Sequence, residues 1–309
     1  MRKIWLDTDI GGDIDDALTL LLLMSYENVE IVGVSTVFEN TVARAKIAKK
    51  LLEMGNRNEV KVYAGIGKPI KATKVHNNKI DLKGLPKTYI PELFDDVIIE
   101  KTPAVEALRD ALLTSDNDIT VVTIGALTNL ASLITKYPEA AKKIKEVYIM
   151  GAAVRLNLNE FNITCDPEAA DIVFSSDLNK KVVTLDVTFK CELKEEHIAK
   201  LKKCQSKVVK TVLAMNKLWG AAMILHDPLT LAEAMGEKFV KFTPGLLKVE
   251  LEGYYSRGKC INLTDFNWKH KPCSNFLISS DVENIKFIND YVNKIYQFDI
   301  KLMGAKIIK

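Results

Sequence analysis

No stretch of this sequence stays apolar for anything near the roughly 20 residues that a membrane-crossing helix requires, so no span is expected. Neither sign of charge dominates: 43 Lys and Arg stand against 40 Asp and Glu, a net charge of +3. So small a surplus does not suggest nucleic acid or an anionic membrane as partner. The five cysteines (Cys165, Cys191, Cys204, Cys260 and Cys273) are scattered and contain no Cys-x-x-Cys pair. They read as reduced thiols of a cytosolic protein. The opening MRKIWLDTDIGGDIDD puts aspartates where a signal peptide would need an apolar run. Linkers, internal repeats and low-complexity stretches are also missing. The expectation is a soluble, cytoplasmic chain whose residues 1–309 form a single domain.

What is present is an ordinary globular balance, 48% apolar and 27% charged over 309 residues. A chain this long buries most of its unfolded surface and needs no covalent staples. Short β-branched runs alternate with helical patterns through the first two-thirds. KIWLDT, EIVGVSTV, VKVYAG, DITVVTIG, EVYIMGA and KVVTLDVT read as strands. Between them DDALTLLLLMSY reads as a helix apolar nearly all round, and TVARAKIAKKLLEM as an amphipathic one with Lys and Arg outward. Further helices are expected near 102–114, 128–136 and 166–175. This alternation predicts an α/β fold, a doubly wound, mostly parallel, Rossmann-like sheet covered on both sides. Residues 65–100 lack periodicity and read as a long functional loop. Helices near 193–219 and 228–236, antiparallel strands GLLKVELE and GKCINLTD, and a closing helix near 282–297 make a C-terminal extension.

The strongest chemical signal is DTDIGGDIDDA, residues 7–17. Asp7, Asp9, Asp13, Asp15 and Asp16 crowd the carboxyl end of the first strand, where open α/β sheets bind ligands. One or two of them would suffice to cap the following helix. Five would repel one another and hold raised pKa values unless a cation neutralised some. A hard divalent metal with oxygen ligands is the economical explanation. HDPLTLAEA (226–234) offers Asp227 as a further carboxylate and His226 as a proton donor titrating near neutrality. EFNITCDPEAA (160–170) offers Glu160 and Asn162 at another strand-to-helix crossing. Taken alone, both segments also read as helix starts, with Asp227 or Asp166 capping and a proline following.

Taken together these segments resemble the inosine-uridine-preferring nucleoside hydrolase family, which opens with a strand and DxDPGxDDA. Asp7, Asp9, Asp15, Asp16 and Ala17 match, with two residues inserted in the loop and Ile10 in place of proline. The resemblance continues through STVFEN (35–40), TIGALTNLA (123–131), VYIMGAA (147–153), EFNITCDPEAA, TLDVT (184–188) and HDP (226–228). It implies a nucleoside hydrolase fold and hydrolysis of the N-glycosidic bond of ribonucleosides to free base and ribose. It implies calcium (Ca2+) held by Asp9, Asp16, Asp227 and the backbone carbonyl of Ile124, with Asp9 as general base on the metal-bound water. Asp15, Asn40, Glu160 and Asn162 would bind ribose hydroxyls, Met150 would pack on the sugar, and His226 would sit near the leaving base. A small-molecule ribonucleoside is then the partner, and a homo-oligomer, dimer or tetramer, is implied.

The chemistry suits that inventory. N-glycosidic cleavage passes through an oxocarbenium-like state that nearby negative charge stabilises, and a carboxylate beside a bound cation can take a proton from water. Fixing sugar hydroxyls supplies orientation, roughly 7 kcal/mol or more in the best cases. Three departures from the family pattern lie at its edges. The span from Met150 to Glu160 is short, leaving Asn157 or Asn159 for an extra sugar contact. Asn77, beside His76, replaces a loop histidine, and Trp219 stands where some members carry tyrosines.

Two other readings differ in class. A haloacid-dehalogenase-like phosphatase also starts from a strand and an Asp-x-Asp loop, but wants Thr or Val where this chain has Gly11, and keeps its second acidic pair far downstream. A non-catalytic calcium-dependent nucleoside- or ribose-binding protein would need the site without turnover.

Overall fold

The computed structural model describes residues 1–71, 80–266 and 271–304. His76 and Asn77 lie outside the described residues. The strands are β1 (Arg2–Thr8), β2 (Val29–Thr36), β3 (Val62–Ala64), β4 (Ile119–Thr123), β5 (Glu146–Met150), β6 (Lys180–Val183), β7 (Val240–Gly245), β8 (Leu247–Val249), β9 (Cys260–Asn262) and β10 (Cys273–Val282). Eight of them make one sheet in the order β3-β2-β1-β4-β5-β6-β10-β7, parallel except for the β10–β7 pair. The first six follow the doubly wound order, which reverses between β1 and β4. β8 and β9 pair antiparallel apart from it, as the sequence suggests.

Strand alternation sends successive side chains to opposite faces. Ile4 and Leu6 enter one core with the helices Asp15–Ser25, Thr41–Met54, Lys207–Trp219, His226–Ala234 and Asn284–Leu302. Trp5, Val121 and Val147 enter the other, against helices Ala104–Thr114, Thr128–Lys136 and Pro167–Ser175. The helix Asp15–Ser25 buries all but its last residue, as its nearly continuous apolar sequence requires. Tyr291 of the closing helix donates its hydroxyl to the Leu18 carbonyl at 3.1 Å. No helix among the described residues is long and apolar enough to cross a membrane, and all five cysteines are free.

Several expectations need correction. KVVTLDVT is not one strand: β6 stops at Val183, and Val187 and Thr188 donate to the Thr184 carbonyl to form a helical turn, Leu185–Thr188. β-Branched residues favour strands only where a pleated neighbour receives them. The helix expected over 193–219 is broken, because Asp299 accepts the backbone N–H groups of Gln205 and Ser206 and restarts the chain as Lys207–Trp219. β7 and β10 were hidden, since CSNFLISSDV lacks a clean alternation and is held by partners far away in sequence. Among its described residues the aperiodic 65–100 segment contains one short helix, Pro91–Phe94. Arg44, expected on an outward face, is buried.

β1 and β2 slip register between Ile4 and Trp5, which sets the Trp5 ring across Gly33. The indole stacks on Tyr63 at 5.5 Å and donates to Ser35 Oγ at 2.8 Å, and Ser35 donates to Asp7 Oδ1 at 2.5 Å. A Cβ at Gly33 would lie 2.6 Å from that pinned ring. Gly33→Ala is expected to destabilise the protein by about 1–3 kcal/mol, read as a lower denaturation midpoint. An unchanged midpoint would show that the ring can yield.

Candidate active site

The carboxyl ends of β1, β4, β5 and β6 lead into a cavity of about 540 Å³, closed by residues from the start of the helix His226–Ala234. It straddles the reversal between β1 and β4, where an open α/β sheet leaves a crevice. Asp9, Asp15, Asp16, Ile124, Met150, Glu160, Asn162, His226 and Asp227 all line it. Asn40 does not: its Oδ1 accepts from Ala43 N at 3.0 Å to cap the helix Thr41–Met54, and its Nδ2 donates to the Lys83 carbonyl at 3.2 Å. Glu39 lines the cavity at this corner.

The loop after β1 is shaped by Gly11, whose φ of +108° is left-handed and whose missing Cβ leaves room for Ile47 and Pro86. Thr88 ties the loop down, donating its N–H and hydroxyl to the Gly11 carbonyl at 3.0 and 3.1 Å. Thr8 donates its hydroxyl to Asp16 and accepts from Ile10 N at 3.1 Å. The next turn then begins a helix, placing Asp15 and Asp16 side by side. Asp227 faces them from the start of another helix. One carboxylate oxygen from each of Asp15, Asp16 and Asp227 lies within 4.8 Å of the others, all three residues buried. Asp7 is not part of this group, for its Oδ1 accepts from Ser35 and Asn129 behind the cavity.

Burial, then the neighbouring carboxylates, pushes Asp15, Asp16 and Asp227 well above the ordinary carboxylate range. Three buried carboxylates this close repel one another unless a proton or a cation lies between them. Burial raises Asp9 to about 6, with Arg44 opposing. A closely spaced, buried, all-oxygen donor set suits a hard divalent ion. The Ile124 carbonyl beside it accepts from Asn162 Nδ2 at 3.2 Å and keeps a second lone pair.

Glu160 caps the short helix Phe161–Cys165, accepting from Asn162 N, Ile163 N and Ala152 N at 2.8, 3.0 and 3.2 Å, yet burial still lifts it to about 7. His226 differs from expectation: burial lowers it to about 4, so the ring is neutral at pH 7. Its Nδ1 shares a 2.7 Å hydrogen bond with Thr188 Oγ1, and Phe189 meets the ring edge-on at 5.2 Å. Phe189, Phe161, Leu158 and Trp219 line the same cavity. Lys87 pins Trp219, with Nζ 4.4 Å from the ring centre and 2.7 Å from the residue's carbonyl. Asn159 also lines the cavity, whereas Asn157 accepts from Lys259 at 2.8 Å. Trp219 was noted from sequence, whereas Glu39, Arg44, Leu158, Phe161 and Phe189 were not singled out. Arg44 gave no signal, because a lysine-rich helix face hides one inward arginine.

A family profile described as inosine-uridine preferring nucleoside hydrolase matches residues 4–289. A probable uridine nucleosidase 2 of Oryza sativa subsp. japonica is 30% identical over 270 residues, covering 82% of this chain and 79% of the relative. The pyrimidine-specific ribonucleoside hydrolase RihA of Escherichia coli O81 (strain ED1a) is 28% identical over 309 residues, covering 93% and 96%. Among solved structures, the plant nucleoside hydrolase PpNRh1 superposes with a TM-score of 0.82 at 24% identity, over 96% of this chain and 99% of that one.

The buried carboxylates give the cation-free protein a definite pH dependence. Asp7, Glu160 and Glu233 are raised to about 7 by burial. Acids raised in the folded state leave stability intact below their unfolded pKa of about 4, and stability is lost as pH rises through about 7. His226 works oppositely, but only below about 6.5. With chelator present, the urea midpoint is expected to fall between pH 6.5 and pH 8. A midpoint that rises over this range would contradict the raised carboxylates.

Proposed function

The chain belongs to the inosine-uridine preferring nucleoside hydrolase family, and from that premise we propose how its residues divide the work of hydrolysing ribonucleosides to base and ribose. The observation that carries the assignment is the convergence of Asp15, Asp16 and Asp227 beside Asp9 in one cavity. Asp9, Asp16, Asp227 and the Ile124 carbonyl would hold calcium. When bound, the ion lowers the pKa of a coordinated water and neutralises part of the cluster. Asp9 is the general base: it lines the cavity beside the carboxylates that would hold the ion, where it can accept a proton from a water bound there.

Asp15 and Asn162 orient the ribose hydroxyls, with Glu160 at the same wall and Met150 packed against the ring. The carboxylates also oppose the positive charge that builds on the sugar as the glycosidic bond breaks. His226, a neutral imidazole anchored through Nδ1, presents Nε2 as its remaining polar atom. Phe161, Phe189 and Trp219 offer flat apolar surface that suits the leaving base. The two relatives named above carry the names probable uridine nucleosidase 2 and pyrimidine-specific ribonucleoside hydrolase, so uridine belongs among the substrates tested. None of the matches favours the phosphatase reading. The family premise also supports a single domain, a homo-oligomer and a cytoplasmic role in nucleoside salvage.

A site built to bind a hydroxyl leaves its own polar groups unpaired when that hydroxyl is missing, a loss that can reach roughly 10⁴ in discrimination. With calcium present, kcat/KM for uridine and inosine is expected to exceed that for their 2′-deoxy forms by about that factor. Values within tenfold of each other would refute the assignment of Asp15 and Asn162. No release of base from any ribonucleoside would refute the function.

A further inference from the structure

We propose that Glu39 contacts a sugar hydroxyl of the substrate, occupying at the corner after β2 the place that the family resemblance gives to Asn40. The inference rests on the ribonucleoside reading above and concerns one residue of that site.

The chain leaves β2 through Phe38 and Glu39, both left-handed, with φ of 67° and 57°. Two successive non-glycine residues in that region cost about 1–3 kcal/mol each, so the surroundings must impose them. Phe38 N donates to the Ile66 carbonyl at 3.0 Å and Glu39 N to the Gly67 carbonyl at 2.8 Å. The Phe38 ring meets Phe161 at 6.1 Å and 84°. The result of this corner is an exchange of neighbours. Asn40 is spent on the helix cap and on Lys83, outside the cavity lining, whereas Glu39 lines the cavity with its side chain about one-third exposed.

Arg44 holds the arrangement from behind. It is buried, and its guanidinium donates to the Phe38 carbonyl at 2.8 Å, to the Ile10 carbonyl at 3.1 Å and to the Asp9 carbonyl. It thereby joins the corner after β2 to the loop after β1. Glu39 Oε2 receives only a long contact from it, 3.4 Å. Arg44 is therefore spent mainly on backbone, and the carboxylate keeps acceptor capacity toward the cavity. A carboxylate braced on one side by a cation and open on the other is suited to accept from a hydroxyl. The cavity also carries Asp9, Asp13, Asp15, Asp16, Glu160 and Asp227 against Arg44 as the one Arg or Lys among its described lining residues. Such a wall favours a neutral polyol over an anion.

The test pairs side-chain deletion with hydroxyl deletion. Glu39→Ala, Glu39→Gln and Asn40→Ala are compared with wild type on uridine and its 2′-, 3′- and 5′-deoxy analogues, by kcat/KM or by inhibition constants where turnover is too slow. Glu39→Ala is expected to lose roughly 10- to 100-fold on uridine, and to lose about twofold or less on the one analogue lacking the partner hydroxyl. Asn40→Ala is expected to lower the thermal midpoint and to affect all four substrates alike. If Glu39→Ala does not fold, the isosteric Glu39→Gln is judged by the same selectivity. A Glu39 variant that stays within twofold of wild type on uridine, or loses equally on all four, overturns the proposal. Wild-type enzyme that cleaves no ribonucleoside defeats the functional reading instead.

Discussion

Burying several carboxylates close to one another, three of them with oxygens within 4.8 Å, is the constraint on which this site depends. Asp9, Asp15, Asp16 and Asp227 are all removed from solvent, and each resists ionisation because of burial and its neighbours. Left to itself such a cluster would hold protons or come apart. Among the described residues lining the cavity Arg44 is the fixed cation, and the donor set suits a second, divalent one. The same negative wall that makes the folded chain costly to assemble is useful to a reaction that builds positive charge on a sugar.

The fold makes this possible by spending its stability elsewhere. Apolar cores cover both faces of the sheet, and the helix that begins with Asp15 and Asp16 is apolar nearly throughout. The strained corner at Phe38–Glu39 and the Gly11 turn sit on the rigid ends of β2 and β1, held by backbone hydrogen bonds from the segments around Ile66 and Thr88. Rigid strands therefore carry irregular loops, and the loops carry the chemistry.

Much of this was legible before any coordinates. The strand and helix alternation led to the parallel sheet, and DTDIGGDIDDA with HDP led to the carboxylates that meet in the cavity. What could not be read depended on contacts distant in sequence. β10 is a strand because β6 and β7 receive it, not because its residues alternate. Arg44 turns inward because three carbonyls await it. His226 is neutral because the cavity wall dehydrates it. Asn40 matched a motif, but the left-handed corner before it assigned its side chain to a helix cap and offered Glu39 to the cavity.

The central claim is that the aspartate cluster exists to hold a divalent cation. Calorimetric titration of calcium into chelator-stripped protein tests it most directly, in buffers of different ionisation enthalpy so that released protons are counted. The account expects one saturable site per chain, displacement of protons held by the raised carboxylates, and loss of that site in Asp227→Asn. Absence of saturable binding, or binding indifferent to Asp227→Asn, would contradict it.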